Sequence, residues 1–350
     1  MSKKYDLIAV TSMGLRMTPA NHAPVGLDKT YTLQATSAES NVLNVSASLG
    51  LRTKALTAFV EGCPMSAFIK GELRRRNIEY EGKDVPQGGP WGYRHQINMA
   101  DTGYGVRAPH VWNDRAGEVG AQISASDFDL DTLFDVDGVR CLHMSGLFAA
   151  ISESTSKCCV ELARRAKKSG TLVSFDLNYR ESFWKNRQQE LREAFTEIAS
   201  LSDILIGNEV DYQLALGIEG PAVNSSLDES SFRDMLTEVR KRFPNTKVYA
   251  TTLRQVINAN THQWGALLCR DGDFYVAASR EIPVLDRIGG GDGFVGGLLY
   301  GLLKGWDSEK CLQFGWATGA LAVTSLEDFA TPSDEKQVWS IWNGNARVVR

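Results

Sequence analysis

The stretch DRIGGGDGFVGGLLYGLL, Asp286–Leu303, places three consecutive glycines directly before an aspartate and then runs into an apolar segment of helical length. Glycines at 289–291 would let the backbone turn sharply into that helix, and those at 296, 297 and 301 would let other helices pack close to it. The same run can do more. Uncovered amides at a helix N-terminus form a cradle for an anion, assisted by the helix dipole. Asp292 favours this second reading. A carboxylate at the mouth of an anion site is unfavourable unless it has a task, and one task is to take a proton from a hydroxyl that attacks a bound phosphate. A simple turn with an aspartate capping the helix is the alternative.

Upstream, short apolar runs alternate with helical patterns: YDLIAV, NVLNVSASLG, KALTAFV and PMSAFIKGELRRRNI, the last covering 64–78. The rhythm resumes with VRCLHMSG, the helix SESTSKCCVELARRAKKSG, the strand TLVSFDLN, the helix QQELREAFTEIASL and the strand DILIGN. A helix SFRDMLTEVRKRF, a strand KVYATTL and a hairpin WGALLCRDGDFYVAA turning at Asp271–Gly272 follow. Such alternation predicts a mostly parallel sheet covered by helices. Residues 87–126 differ, with aromatics and glycines among short alternating runs such as YRHQINM and RAPHVWND, and residues 11–35 share that character. The expected organisation is an α/β core from residues 1–10, 36–86 and 127–350, with a small β lid built by 11–35 and 87–126. LGIEGPAVNSSLDESS, at 216–231, reads as a surface loop.

Composition narrows the partners. At 43% apolar and 23% charged the 350-residue chain suits a folded globular protein, and a net charge of −4 with interspersed signs offers no broad basic face for nucleic acid or anionic lipid. The N-terminal apolar run breaks after Val10, as a first strand would, and no window reaches the length of a membrane span. Six cysteines lack metal-ligand spacing, His95 and His143 stand alone, and the eight tryptophans are dispersed, so a reduced cytoplasmic protein acting on small molecules is expected.

The glycine run fits neither G-x-x-x-x-G-K-[ST] nor a dinucleotide fingerprint, which would follow the first strand. It resembles the C-terminal signature of the ribokinase/PfkB sugar kinases, usually Asp-Thr-x-Gly-Ala-Gly-Asp. The Asp-Arg-x-Gly-Gly-Gly-Asp form is similar to that of bacterial 2-keto-3-deoxygluconate kinases. HMSGLFAAIS, VSFDLNYRESFW, LIGNEVDYQLALG and VYATTLR agree in order and separation, so the resemblance covers essentially the whole chain. It implies a ribokinase-like three-layer α/β/α core with a small β lid, ATP and Mg²⁺ as cofactors, a sugar acid as acceptor, and a homodimer formed through the lid.

The resemblance also implies roles. Asp292 would be the catalytic base, and amides around Gly289, Gly290 and Gly291 the anion hole. Asn208 and Asp211, in the place of an Asn-x-x-Glu motif, would act near Mg²⁺ and the nucleotide phosphates; Asn208 can cap a helix at the same time. Thr252, Arg254 and Asp286 would serve the nucleotide. Arg180, at the end of SFDLNYR with Asp176 and Asn178, would grip the acceptor's carboxylate, and Arg115 in WNDRAG is a second candidate from the lid. Asn41 with Thr36 and Ser37 would line the acceptor side. Departures from the pattern concentrate there: Thr36 and Ser37 replace a Gly-Gly pair, Thr11 and Ser12 an early Gly-Glu, and Asn113 a tyrosine. The expected activity is phosphorylation of a primary hydroxyl of a sugar acid, 2-keto-3-deoxygluconate first. A kinase for another keto-sugar or polyol, a sugar or nucleotide sensor without turnover, and, more distantly, a nicotinamide dehydrogenase are the alternatives.

Overall fold

The computed structural model describes residues 3–222 and 228–347, so part of the loop expected over 216–231 lies outside the described residues. The large sheet contains β1 (Tyr5–Val10), β4 (Thr53–Val60), β5 (Ile78–Val85), β8 (Val139–Ser145), β9 (Leu172–Asp176), β10 (Ile204–Ile206), β11 (Val248–Asn258), β12 (Thr261–Arg270) and β13 (Asp273–Pro283). Their order is β13-β12-β11-β10-β9-β8-β1-β4-β5, parallel from β11 to β5 and antiparallel only at the β11–β12–β13 edge. Alternate residues of β1 feed the two faces: Ile8 and Val10 join one buried cluster, Leu7 and Ala9 the other.

Helices cover both faces. On the first lie the one-turn helices α3 (Gly146–Ala149) and α5 (Glu181–Trp184), with α4 (Glu153–Lys168), α6 (Gln188–Leu201), α7 (Glu209–Leu216) and α8 (Glu229–Arg242), buried through Phe148, Trp184, Leu162, Phe195, Tyr212 and Leu236. On the second lie α1 (Ala38–Ser48), α2 (Pro64–Arg75), α9 (Gly290–Leu303), α10 (Ser308–Ala322) and α11 (Glu335–Trp342). The glycine-rich α9 is the most closely packed of these. A Cβ on Gly296 would stand 2.9 Å from the Val42 carbonyl oxygen of α1, and one on Gly297 1.9 Å from Thr318 Oγ1 of α10. Among the described residues no helix is long and apolar enough to cross a membrane.

A second sheet, β3-β2-β6-β7, is formed by β2 (Gly14–Pro19), β3 (Tyr31–Thr36), β6 (Ile97–Ala100) and β7 (Val111–Asp114). The chain therefore leaves the large sheet after β1 and again after β5 to build it. The hairpin expected at Asp271–Gly272 joins β12 to β13, with both residues left-handed (φ 54° and 96°), as a two-residue turn of this hand requires.

Three expectations need correction. The helix read over 64–78 stops at Arg75, because Asn77 takes a left-handed φ of 55° and Ile78 opens the edge strand β5. YRHQINM is strand only from Ile97, since Tyr93–Gln96 are tied elsewhere: Arg94 bridges Glu118 and the His95 ring bonds Ser66 and the Met13 carbonyl. RAPHVWND pairs only from Val111, beyond Pro109, which has no N–H to give.

Candidate active site

At the carboxyl ends of β9, β10 and β11, where open α/β sheets bind ligands, a cleft of about 650 Å³ lies between the large sheet and the small one. Its floor is the first turn of α9. Gly289 caps that helix in a left-handed conformation (φ 84°), and a Cβ there would fall 1.7 Å from the Asp328 carbonyl oxygen, so only glycine fits. The first intrahelical bond runs from Gly293 N–H to the Gly289 carbonyl at 2.8 Å, which leaves the amides before it without helical partners.

Asp292 is not the cap of α9, which has no side-chain cap bond; it stands in the first turn and lines the cleft. Asn41, on α1, donates from Nδ2 to Asp292 Oδ2 at 2.8 Å. Thr36 at the end of β3 donates from Oγ1 to Asn41 Oδ1 at 3.2 Å, which fixes the amide with its nitrogen toward the carboxylate. Ser37 caps α1 by accepting from Ser40 N–H at 3.1 Å. The two residues that stand in place of glycines thus orient Asn41 and start its helix. Burial, with the nearby carboxylates of Glu39 and Asp328, pushes the Asp292 carboxyl up to about 7, although the Asn41 bond and the Arg180 charge pull it down.

Asp176 ends β9 beside it, and Asn178 follows two residues later. Asp176 is buried and held well above the ordinary carboxylate range by desolvation and by the charges of Asp211 and Asp292. Asn178 has a left-handed φ of 36°, and its buried Oδ1 has no partner among the described residues. Asn208 caps α7, its Oδ1 accepting from Val210 and Asp211 N–H at 2.8 and 3.0 Å. Asp211 returns the bond, accepting from Asn208 N–H and from Tyr179 N–H, both at 2.8 Å, and burial raises its carboxyl. Both residues therefore line the cleft while pinning two loops.

Thr252, Arg254 and Arg180 also line the cleft. Arg115 does too, but its guanidinium is bound to Glu118 at 2.8 and 2.9 Å, and Glu118 also accepts from Ser12. Two of the expected residues do not line the cleft: Gly290, buried in the first turn of α9, and Asp286, fully buried behind the glycine turn and paired with Arg16 at 2.5 Å. Sequence reasoning passed over Arg287 and Glu209, which line the cleft, and the buried partners Arg16 and Asp328. Arg287 was legible beside the glycine run. His95 and His143 are both buried away from the cleft, and burial lowers each imidazole, His143 to about 3.

The large, mostly parallel sheet with a smaller sheet beside it is the ribokinase-like α/β fold. Residues 120–334 match the pfkB family of carbohydrate kinases, and the chain belongs to that family. It is 26% identical over 327 residues to the 5-dehydro-2-deoxygluconokinase of Clostridium perfringens, covering 92% of this chain and 88% of that one. It is 26% identical over 350 residues to the 2-dehydro-3-deoxygalactonokinase of Haloferax volcanii, covering 99% of each. The crystal structure of 2-dehydro-3-deoxygluconokinase from Thermotoga maritima superposes with a TM-score of 0.88 at 26% identity, over 97% of this chain and 100% of that one. An Escherichia coli protein solved in complex with ATP and Mg²⁺ shares the fold, with a TM-score of 0.77 at 18% identity over 97% and 99% of the two chains. The protein is a carbohydrate kinase related to the 2-dehydro-3-deoxygluconokinases.

Proposed function

We propose that the protein transfers the γ-phosphoryl group of ATP to a primary hydroxyl of a sugar acid, with 2-keto-3-deoxygluconate going to its 6-phosphate as the leading reaction. The observation that carries this reading is the pair Asn41–Asp292 at the first turn of α9, a hydrogen-bonded carboxylate poised near neutral pH beside amides that have no helical partner. Asp292 takes the proton of the attacking hydroxyl. Amides of the 289–291 turn, with the helix dipole, stabilise charge on the phosphoryl group in flight. Arg254 and Arg287 are exposed in the cleft with no carboxylate partner among the described residues, which suits them to the nucleotide's phosphates.

Mg²⁺ prefers oxygen donors and keeps much of its water. Glu209, Asn208 and Asp211 put side-chain oxygens on this wall of the cleft; the Glu209 carboxylate is the least committed, while the Asn208 amide oxygen and the Asp211 carboxylate already accept from backbone N–H groups and would reach the ion through water. Bound there, the ion would neutralise phosphate charge. Arg180 would hold the acceptor's carboxylate, and Asn178 would bond the acceptor through its unpartnered oxygen. Arg115 would join only by leaving Glu118. Relatives named for dehydro-deoxy sugar acids support this acceptor class. The Thr36 side chain at the acceptor wall favours a second reading, a different keto-sugar or polyol, because its methyl and hydroxyl occupy space that glycine would leave open.

The small sheet would act as lid and as the surface of a homodimer, its exposed Leu33, Val111 and Trp112 being covered by a second copy. Six unpaired cysteines suit a cytoplasmic enzyme. The test is ADP release with Mg-ATP across keto-deoxy sugar acids, aldonates, ketohexoses and ribose, with Asp292→Asn alongside. Turnover on a sugar acid that vanishes in the variant supports the reading; a preference for a neutral ketose would move the assignment to the second one.

A further inference from the structure

Among the described residues Arg16 is the largest side chain that the fold buries completely, at 1% exposure, although it lies on β2 of the small sheet. Its guanidinium grips two carboxylates at once. Nη2 donates to Asp286 at 2.5 Å and Nη1 donates to Asp328. Asp286 opens the glycine turn, and its other oxygen accepts from Ile288 N–H at 3.1 Å, inside that turn. Asp328 belongs to the segment 324–331, whose backbone lies against Gly289 so closely that no Cβ could enter. The same segment is tied to β3 of the small sheet, where Gln34 Nε2 donates to the Leu326 carbonyl at 2.6 Å, and to α1, where Asn44 donates to the Ala330 carbonyl at 2.7 Å.

A planar fork can hold two carboxylates in fixed directions, which an ammonium cannot. Such a buried cluster need not stabilise a protein, because desolvation offsets the attraction between its charges; its geometry is what an apolar replacement would lose. We propose that Arg16 is a positioning residue for phosphoryl transfer: through Asp286 and Asp328 it fixes the glycine turn against the acceptor-binding sheet, so that the anion-binding amides and the acceptor keep one geometry. The inference rests on the reading of that turn as the anion hole and of Asp292 as the base. Small displacements of donors from a transferring group lower the rate while leaving substrate binding nearly intact.

The test separates geometry from charge. Arg16→Met/Asp328→Asn keeps the cluster's net charge, and Arg16→Lys keeps a cation without the fork. For both, melting temperature, kcat and the KM values for ATP and the sugar are measured beside wild type and Asp292→Asn. The expected result is a kcat loss of about tenfold or more with each KM changed by less than about threefold, in protein whose melting curve remains cooperative. Wild-type kcat in either variant overturns the inference and leaves the cluster a structural one, as does a loss carried wholly by KM. Full activity in Asp292→Asn would instead overturn the underlying reading, so the two failures are distinguishable.

Discussion

Replacing Asn41 by leucine isolates the hydrogen bond that holds the Asp292 carboxyl down against the effect of its burial. In the native protein Asn41 Nδ2 donates to the carboxylate at 2.8 Å, and the carboxyl stands at about 7. A bond to a charged acceptor contributes about 1.5–3 kcal/mol, and 1.36 kcal/mol corresponds to one pKa unit, so its loss raises Asp292 by about one to two units. The sign follows from the amide's orientation. A donor facing the carboxylate favours its ionised form, and removing it favours the acid. Had the Asn41 oxygen faced Asp292 the bond would favour the protonated form, and leucine would lower the pKa. The assay is kcat/KM for the sugar as a function of pH at saturating Mg-ATP, which reports ionisation of the free base. Wild type should lose activity below about pH 7, and the variant below about pH 8 to 9, with recovery at higher pH. An acid limb that stays in place or moves down would refute the assignment of Asn41 as donor and Asp292 as base.

Other substitutions probe separate parts of the cleft. Asp292→Asn should lower kcat by about 10²- to 10⁴-fold in ADP release while the protein stays folded. Because burial raises this carboxyl from 3.8 to about 7, wild type loses stability as pH rises between those values; the variant should not, and its advantage above pH 7 is at most about 4 kcal/mol by thermal unfolding. A flat difference between the two across that range would mean that Asp292 is not shifted. Gly289→Ala forces a left-handed alanine into the Asp328 carbonyl and should cost about 2–4 kcal/mol, read as a lowered denaturation midpoint. Arg254→Ala and Arg287→Ala should each weaken ATP binding by about tenfold in titration calorimetry and flatten its salt dependence, leaving adenosine affinity unchanged. An equal loss for adenosine would place these arginines at the base or ribose instead.

The alternation of apolar runs with helical patterns was enough to read the layered core, because buried parallel strands and amphipathic helices leave local periodicities. β5 escaped because IEYEGKDV is a charged edge strand next to a helix with no proline to end it; the stop is a left-handed Asn77, which composition does not announce. The sharp turn at Gly289 and the helix that carries Asp292 to the cleft were legible in the glycine run. Asn41 was legible only through family resemblance, since nothing local says that it crosses 251 positions to meet Asp292. Arg16 was invisible for a related reason. In GLRMTP an arginine on a short strand reads as solvent-facing, and its two carboxylates lie 270 and 312 positions away. Asp286 was drawn toward the nucleotide by its place in the motif, whereas in three dimensions the turn carries it to the far side of the cleft floor.

The Arg16 fork also bears on how such a protein can change its diet. In the proposed reading the acceptor-side residues come from early segments, such as 36–41 and 111–115, while the glycine turn comes from 286–292. Two parts encoded so far apart look exchangeable, as if a new sugar could be accommodated by grafting an N-terminal third from a relative. The buried fork makes them a matched set. A graft that brings a strand without Arg16 strands Asp286 and Asp328 in the interior, so a change of sugar has to proceed within the lid around a fixed arginine, or alter both ends of the gene together.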